Sequence, residues 1–185
     1  MAEELKNKKV AILMTDGFEQ SEFEKPYEAL KEAGATVEII SLKGAKVIGW
    51  KTKNWGDEVN VDKTIEEVNA EDYDALMLPG GIINSDKLRM NIDAVNYVAN
   101  FLELGKPVAA ICHAPWILIE TGMIDGRKMT SYPSLKTDLV NAGVNWVDEE
   151  VVVDNGLLTS RNPDDLPAFC RKMIEEIAEG IHEEE

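Results

Sequence analysis

One cysteine in this chain stands where a nucleophile could be presented. Cys112 follows the apolar run Pro107-Val108-Ala109-Ala110-Ile111 and precedes His113-Ala114-Pro115, the start of a helical stretch. A residue between a buried strand and a helix sits on a sharp turn that pushes its side chain out of the top of a sheet. The helix start there supplies N–H donors and a positive dipole end that favours a thiolate. The competing reading is that Cys112 packs as a small hydrophobe, as free cysteines commonly do. His113 is the one imidazole placed to act as a base, because the other, His182, lies in an acidic tail. Adjacent side chains rarely point the same way, so pairing the two needs the unusual backbone of such an elbow. Gly80-Gly81 ends another apolar run, Asp74-Ala75-Leu76-Met77-Leu78-Pro79. It is either a simple tight turn or a turn whose freed N–H faces an oxyanion beside the nucleophile. Glu19, after the first apolar run, reads either as a functional carboxyl or as a solvated acid at a helix start.

Short apolar runs separated by helical patterns must position these groups. Val10 to Met14, Val37 to Ile40, Asp74 to Leu78 and Pro107 to Ile111 are too short for helices and read as strands buried on both faces. Helical spacing runs from Ser21 to Ala33, ended by Gly34, and from about Asp86 to Leu104 through Leu88, Ile92, Val95, Val98 and Leu102. Residues 43 to 72, with Trp50 and Trp55 among glycines, suggest a short β-excursion and a helical turn near Thr64 to Val68. Beyond the elbow come a helix to Thr121, a strand near Lys128 to Thr130 and a helix from Ser134 to Asn141. Strands near Glu150 to Val153 and Leu157 to Thr159 precede a closing helix from Asp164 to Ala178. The alternation predicts an α/β fold, a flavodoxin-like, doubly wound and mostly parallel sheet that binds its ligand at the carboxyl ends of the strands.

Composition narrows the function. The 185 residues carry 35 acidic and 19 basic side chains, a net charge of -16. Such a surface repels phosphate backbones and anionic lipid, so neither nucleic acid nor membrane is an expected partner. Two cysteines cannot build a disulfide framework, and Cys170, on the last helix, reads as a packing residue. No metal-type Cys/His spacing occurs, and no Gly-Lys-Ser/Thr follows Gly81, so no metal, cofactor or flavodoxin-type phosphate loop is expected. No apolar run reaches membrane-spanning length. The chain is expected to be one cytoplasmic domain over residues 1–185.

The segment Ala109-Ala110-Ile111-Cys112-His113-Ala114-Pro115 resembles the AICHGP elbow of the PfpI intracellular-protease family, within the ThiJ/PfpI superfamily that includes the parkinsonism-associated deglycase. The likeness extends through Phe18-Glu19, Asp74 to Gly81, Gly126-Arg127-Lys128, Thr130-Ser131-Tyr132-Pro133, Asn141-Ala142-Gly143, Val151 to Asp154, Thr159-Ser160-Arg161 and Pro163 to Leu166. It implies a class I glutamine amidotransferase-like fold with Cys112 as nucleophile and His113 as general base or acid. It also implies Glu19 against the sulfur as a protonated carboxyl, and N–H groups of Gly81 and His113 as the oxyanion hole. Asp86 would orient the histidine, supplied by a neighbouring subunit of a homo-oligomer, and Tyr132 would lie near the pocket. Ala114 stands where relatives have glycine, and Trp116 where many have glutamine, which should make the pocket mouth narrower or more apolar. The implied activity is a stress-protective, cysteine-dependent one on α-oxoaldehydes or early glycation adducts of proteins. A cysteine peptidase and a non-catalytic redox sensor with an exposed, acidic thiol are the alternatives.

Overall fold

The computed structural model describes residues 3–181, so His182 and the terminal glutamates 183–185 lie outside the described residues. In chain order the strands are β1 (Lys9–Leu13), β2 (Phe18–Glu19), β3 (Thr36–Ser41), β4 (Lys46–Lys51), β5 (Asn54–Asn60), β6 (Lys63–Thr64), β7 (Ala75–Leu78), β8 (Val108–Ile111), β9 (Lys128–Met129), β10 (Asn145–Trp146), β11 (Val152–Asp154) and β12 (Leu157–Ser160). The helices are α1 (Gln20–Glu32), α2 (Ile82–Arg89), α3 (Ile92–Glu103), α4 (Pro115–Glu120), α5 (Lys136–Asn141) and α6 (Leu166–Glu179).

The main sheet has seven strands in the order β11-β12-β8-β7-β1-β3-β6. Every pairing in it is parallel except β11 with β12, which is antiparallel. Continuous apolar strands form because both faces are covered. In β1, Ala11 and Leu13 face the core beneath α2, α3, α4 and α5, while Val10 and Ile12 face the core beneath α1 and α6. The same alternation splits Leu76 and Leu78 from Ala75 and Met77 in β7, as a period of two requires. From β1 the chain moves to β3 on one side and later to β7 on the other, which puts the topological switch point between β1 and β7. That is where an open α/β sheet leaves a crevice.

The expected helix from Asp86 to Leu104 needs correction in two respects. The stretch from Asp86 to Leu104 is two helices, because Asn91 is extended and its side chain accepts the Ala94 N–H at 3.0 Å, capping α3 anew. Ile92, assigned to the apolar face, is 67% exposed, and Phe101 joins Val95 and Val98 inside instead. The excursion between residues 43 and 72 is a hairpin of β4 and β5, and β4 also pairs with β2 in a separate three-stranded sheet that brings Trp50 beside Glu19.

Candidate active site

The carboxyl ends of β1, β7 and β8 meet at a cleft of about 480 Å³ lined by Gly17, Glu19, Glu22, Trp50, Thr52, Gly81, Ile82, Ile83, Cys112, His113, Tyr132 and Pro163. Cys112 forms its floor with a backbone φ of 64°, a left-handed conformation that costs a non-glycine residue roughly 1–3 kcal/mol. Strand β12 and the loop after β9 hold it there. The Cys112 N–H donates to the Ser160 carbonyl at 3.0 Å, and the Cys112 carbonyl accepts from the Tyr132 N–H at 2.9 Å. This turn overcomes the ordinary divergence of adjacent side chains, and His113 Nδ1 lies 3.1 Å from Cys112 Sγ.

The turn after β7 is built as closely. A Cβ on Gly80 would lie 2.4 Å from Glu22 Oε1 and 2.8 Å from Cys112 Cβ. Gly81 has φ 92°, and a Cβ there would lie 2.3 Å from the Gly17 carbonyl oxygen. Only glycine fits either position, and the absence of side chains lets the Gly81 N–H reach Cys112. Buried Asn84 locks this turn to β1. Its amide donates to the Pro79 and Gly80 carbonyls, both at 3.0 Å, and accepts the Thr15 N–H at 2.7 Å.

The carboxyl against the sulfur belongs to Glu22, not to Glu19. Glu19 ends β2 in an extended conformation, its N–H donates to the Gly80 carbonyl, and its side chain lines the cleft wall, accepting from the Thr52 N–H. Burial raises the Glu19 pKa above its ordinary value. Glu22 lies one helical turn further along α1, on the buried stripe with Phe23, Pro26 and Leu30, and is 0% exposed. The Cys112 thiol and the Gly80 N–H bear on its carboxyl, but neither oxygen completes a hydrogen bond of good geometry among the described residues. Burial above all, with the neighbouring Glu19 charge, pushes its pKa up to about 8. A carboxyl so enclosed is protonated at neutral pH and can donate. The sequence signal was present, since Glu22 stands four residues before Pro26 and eight before Leu30 on one helix face. An acid on such a stripe is easily assigned to solvent.

The thiol is not the exposed, acidic group expected of a sensor. Cys112 is 7% exposed. Burial and an ionised Glu22 push its pKa up, while the N–H groups of His113 and Gly81 pull it down. Protonation of Glu22 removes the repulsive part. Burial also lowers the His113 pKa to about 4, so the imidazole is neutral at physiological pH and has a lone pair to offer.

Tyr132 stacks on the His113 ring with centroids 4.6 Å apart and lines the cleft. Ser134, which sequence reasoning missed, has its hydroxyl 3.5 Å from His113 Nε2. Trp116 does not narrow the cleft mouth. It lies on α4 outside the cleft lining, near-perpendicular to His113 at 5.2 Å. Asp86 is exposed on α2 and outside the cleft lining, so within one chain it is not brought to His113. Among the described residues no group of three or more His, Cys, Asp or Glu side chains could hold a metal ion. No helix among them is long and apolar enough to cross a membrane.

A mostly parallel α/β sheet with a strained cysteine elbow at its switch point defines a class of protein, and similarity to known proteins gives that class its family. The chain matches the DJ-1/PfpI family over residues 8–176 and belongs to it. A deglycase of Pyrococcus abyssi is 46% identical over 166 residues, spanning 90% of this chain and 97% of the relative. Protein/nucleic acid deglycase 2 of Escherichia coli is 44% identical over 169 residues, spanning 91% and 96%. Drosophila melanogaster DJ-1beta, a crystal structure, superposes with a TM-score of 0.83 at 32% identity over 92% of this chain and 90% of its own.

Proposed function

We propose that this protein is a cysteine-dependent deglycase or glyoxalase, acting on α-oxoaldehydes or on the early adducts they form with protein amines. The observation that carries the reading is the 3.1 Å approach of Cys112 Sγ to the Nδ1 of a neutral His113, over an enclosed carboxyl. The deglycase names of the relatives support it.

His113 Nδ1 takes the thiol proton as Cys112 Sγ bonds to the aldehyde carbon. The carbonyl electron pair moves to oxygen, which meets the Gly81 and His113 N–H groups and takes a proton from Glu22 or from the imidazolium. The product is a hemithioacetal. Transfer of the proton on that carbon to the adjacent carbonyl carbon, through an enediol with His113 and Glu19 as carriers, turns it into a thioester. Water then releases a 2-hydroxy acid and restores the thiol, so the net change is addition of one water. With an aminocarbinol adduct on an amine, the C–S bond forms as the C–N bond breaks, the thiol proton passes by way of His113 to the departing amine, and the same hemithioacetal results. A cleft of about 480 Å³ suits a small carbonyl compound better than an extended peptide, which sets the peptidase reading second. Acidity disfavours a nucleic-acid backbone as a binding surface, but it does not bar a glycated base as substrate. The cross-subunit role of Asp86 belongs to this proposal, with a homo-oligomer completing each site.

The test follows methylglyoxal loss and 2-hydroxy acid formation in chelator-containing buffer. Wild type is expected to turn over. Cys170→Ser, on α6 beside a different groove, is expected to stay within about twofold of it. A wild type that leaves methylglyoxal untouched overturns the reading and moves the peptidase and redox roles ahead.

A further inference from the structure

We propose that Trp116 is a positioning residue, one that holds the His113 ring against Tyr132 with Nδ1 turned to Cys112. The inference rests on the reading of His113 as the base. Trp116 is outside the cleft lining, so it can act on the reaction only through His113. Three elements fix the indole. Its N–H donates to Asp138 Oδ2 on α5 at 3.0 Å, the Arg89 guanidinium from α2 sits 5.3 Å from its ring, and α4 carries it. Arg89 is in turn held by Glu120, its Nε donating at 3.0 Å. The imidazole therefore has Tyr132 stacked at 26° on one side and the indole at 69° as its other aromatic neighbour. A β-carbon carrying an imidazole allows several rotamers, and two aromatic contacts leave few of them open.

The indole also keeps water from the ring. The titratable and charged groups around His113 are Cys112 beside it, Glu19 and Glu22 across the cleft, Tyr132 on its face, Arg89, Glu120 and Asp138 beyond Trp116, and, in the homo-oligomer proposed above, Asp86 of the neighbouring subunit, which is present in wild type and variants alike. Arg89 and Glu120 largely cancel as a pair, so the main effect of removing the indole is hydration, which favours the imidazolium.

The experiment is an NMR titration of the imidazole resonances. It is readable because the chain has only two histidines, and His182→Ala assigns the other. Trp116→Ala is expected to raise the His113 midpoint by about one unit or more, and Asp138→Ala to move it the same way by less. Trp116→Phe should restore most of the wild-type value. In oxoaldehyde turnover, Trp116→Ala should lower kcat roughly tenfold with KM changed by no more than about twofold. A folded Trp116→Ala with the wild-type midpoint and tautomer overturns the proposal. If Trp116→Ala does not fold, an unmoved midpoint in Asp138→Ala, an exposed position, overturns it instead. The titration does not depend on turnover. An inactive wild type whose His113 midpoint still moves with Trp116 defeats the functional reading and leaves the clamp standing, whereas an active wild type with an unmoved midpoint defeats the clamp alone.

Discussion

Cys112→Ser is expected to abolish oxoaldehyde turnover, by about 10³-fold or more in kcat/KM, while leaving the fold intact. The reason lies in the weakness of the base. Burial lowers the His113 pKa to about 4, so the imidazole can relieve a thiol of its proton at the moment of attack far more readily than a hydroxyl, which is a much weaker acid. Serine is close in size to cysteine, and the backbone bonds to Ser160 and Tyr132 that hold the turn do not involve the sulfur. Equal far-UV circular dichroism and equal melting temperature with a lost rate would meet the expectation. Retention of more than about a tenth of the wild-type rate would defeat the assignment of Cys112 as nucleophile.

Glu22→Gln is expected to change how stability depends on pH. The Glu22 carboxyl titrates near 8 in the folded chain, against an ordinary value of 4.5. A carboxyl raised on folding contributes stability that is fully present below about 4.5 and is lost as pH rises through 8. His113 has the opposite sign. Its folded value, near 4 against 6.5, adds stability that is present above 6.5 and is lost as pH falls through 4. Between 4.5 and 6.5 the two slopes oppose each other, so the net decline falls between about 6.5 and 8. The Glu22 contribution has a ceiling of about 5 kcal/mol. Glutamine fills the same space without ionising, so the variant should match wild type near pH 5 and exceed it at pH 9 by several degrees of melting temperature, at about 2–4 °C per kcal/mol. Turnover should fall at the same time, because the amide has no acidic proton to give. Parallel melting curves for the two proteins from pH 5 to pH 9 would contradict the enclosed, protonated carboxyl.

Much of the scaffold was legible because its causes are local. Val10 to Met14 and Val108 to Ile111 are apolar at every position, which only a sheet covered on both faces accommodates, and Gly34, with φ 93°, stops the first helix where its type indicates. The break at Asn91 was not legible. Leu88, Ile92 and Val95 keep helical spacing across it, and the capping bond of the Asn91 side chain decides the matter. The cysteine elbow could be read from its strand and helix flanks. Its acidic partner was legible only as one of two candidates, since Glu19 and Glu22 differ by one turn at the start of α1, and the packing of that helix against the sheet selects which of them faces the sulfur.

The order of residues alone determined the parallel sheet, the position of Cys112 at a strand end and the two glycines that let backbone approach it, because periodicity and backbone sterics act over a few neighbours. Tertiary structure decided the rest. Strands β1, β7, β8 and β12, distant in sequence, turn Cys112 and His113 toward one another and close the space around Glu22. Burial then sets the ionisation of all three groups. Desolvation depends on everything that surrounds a side chain, and most of those surroundings come from elsewhere in the chain.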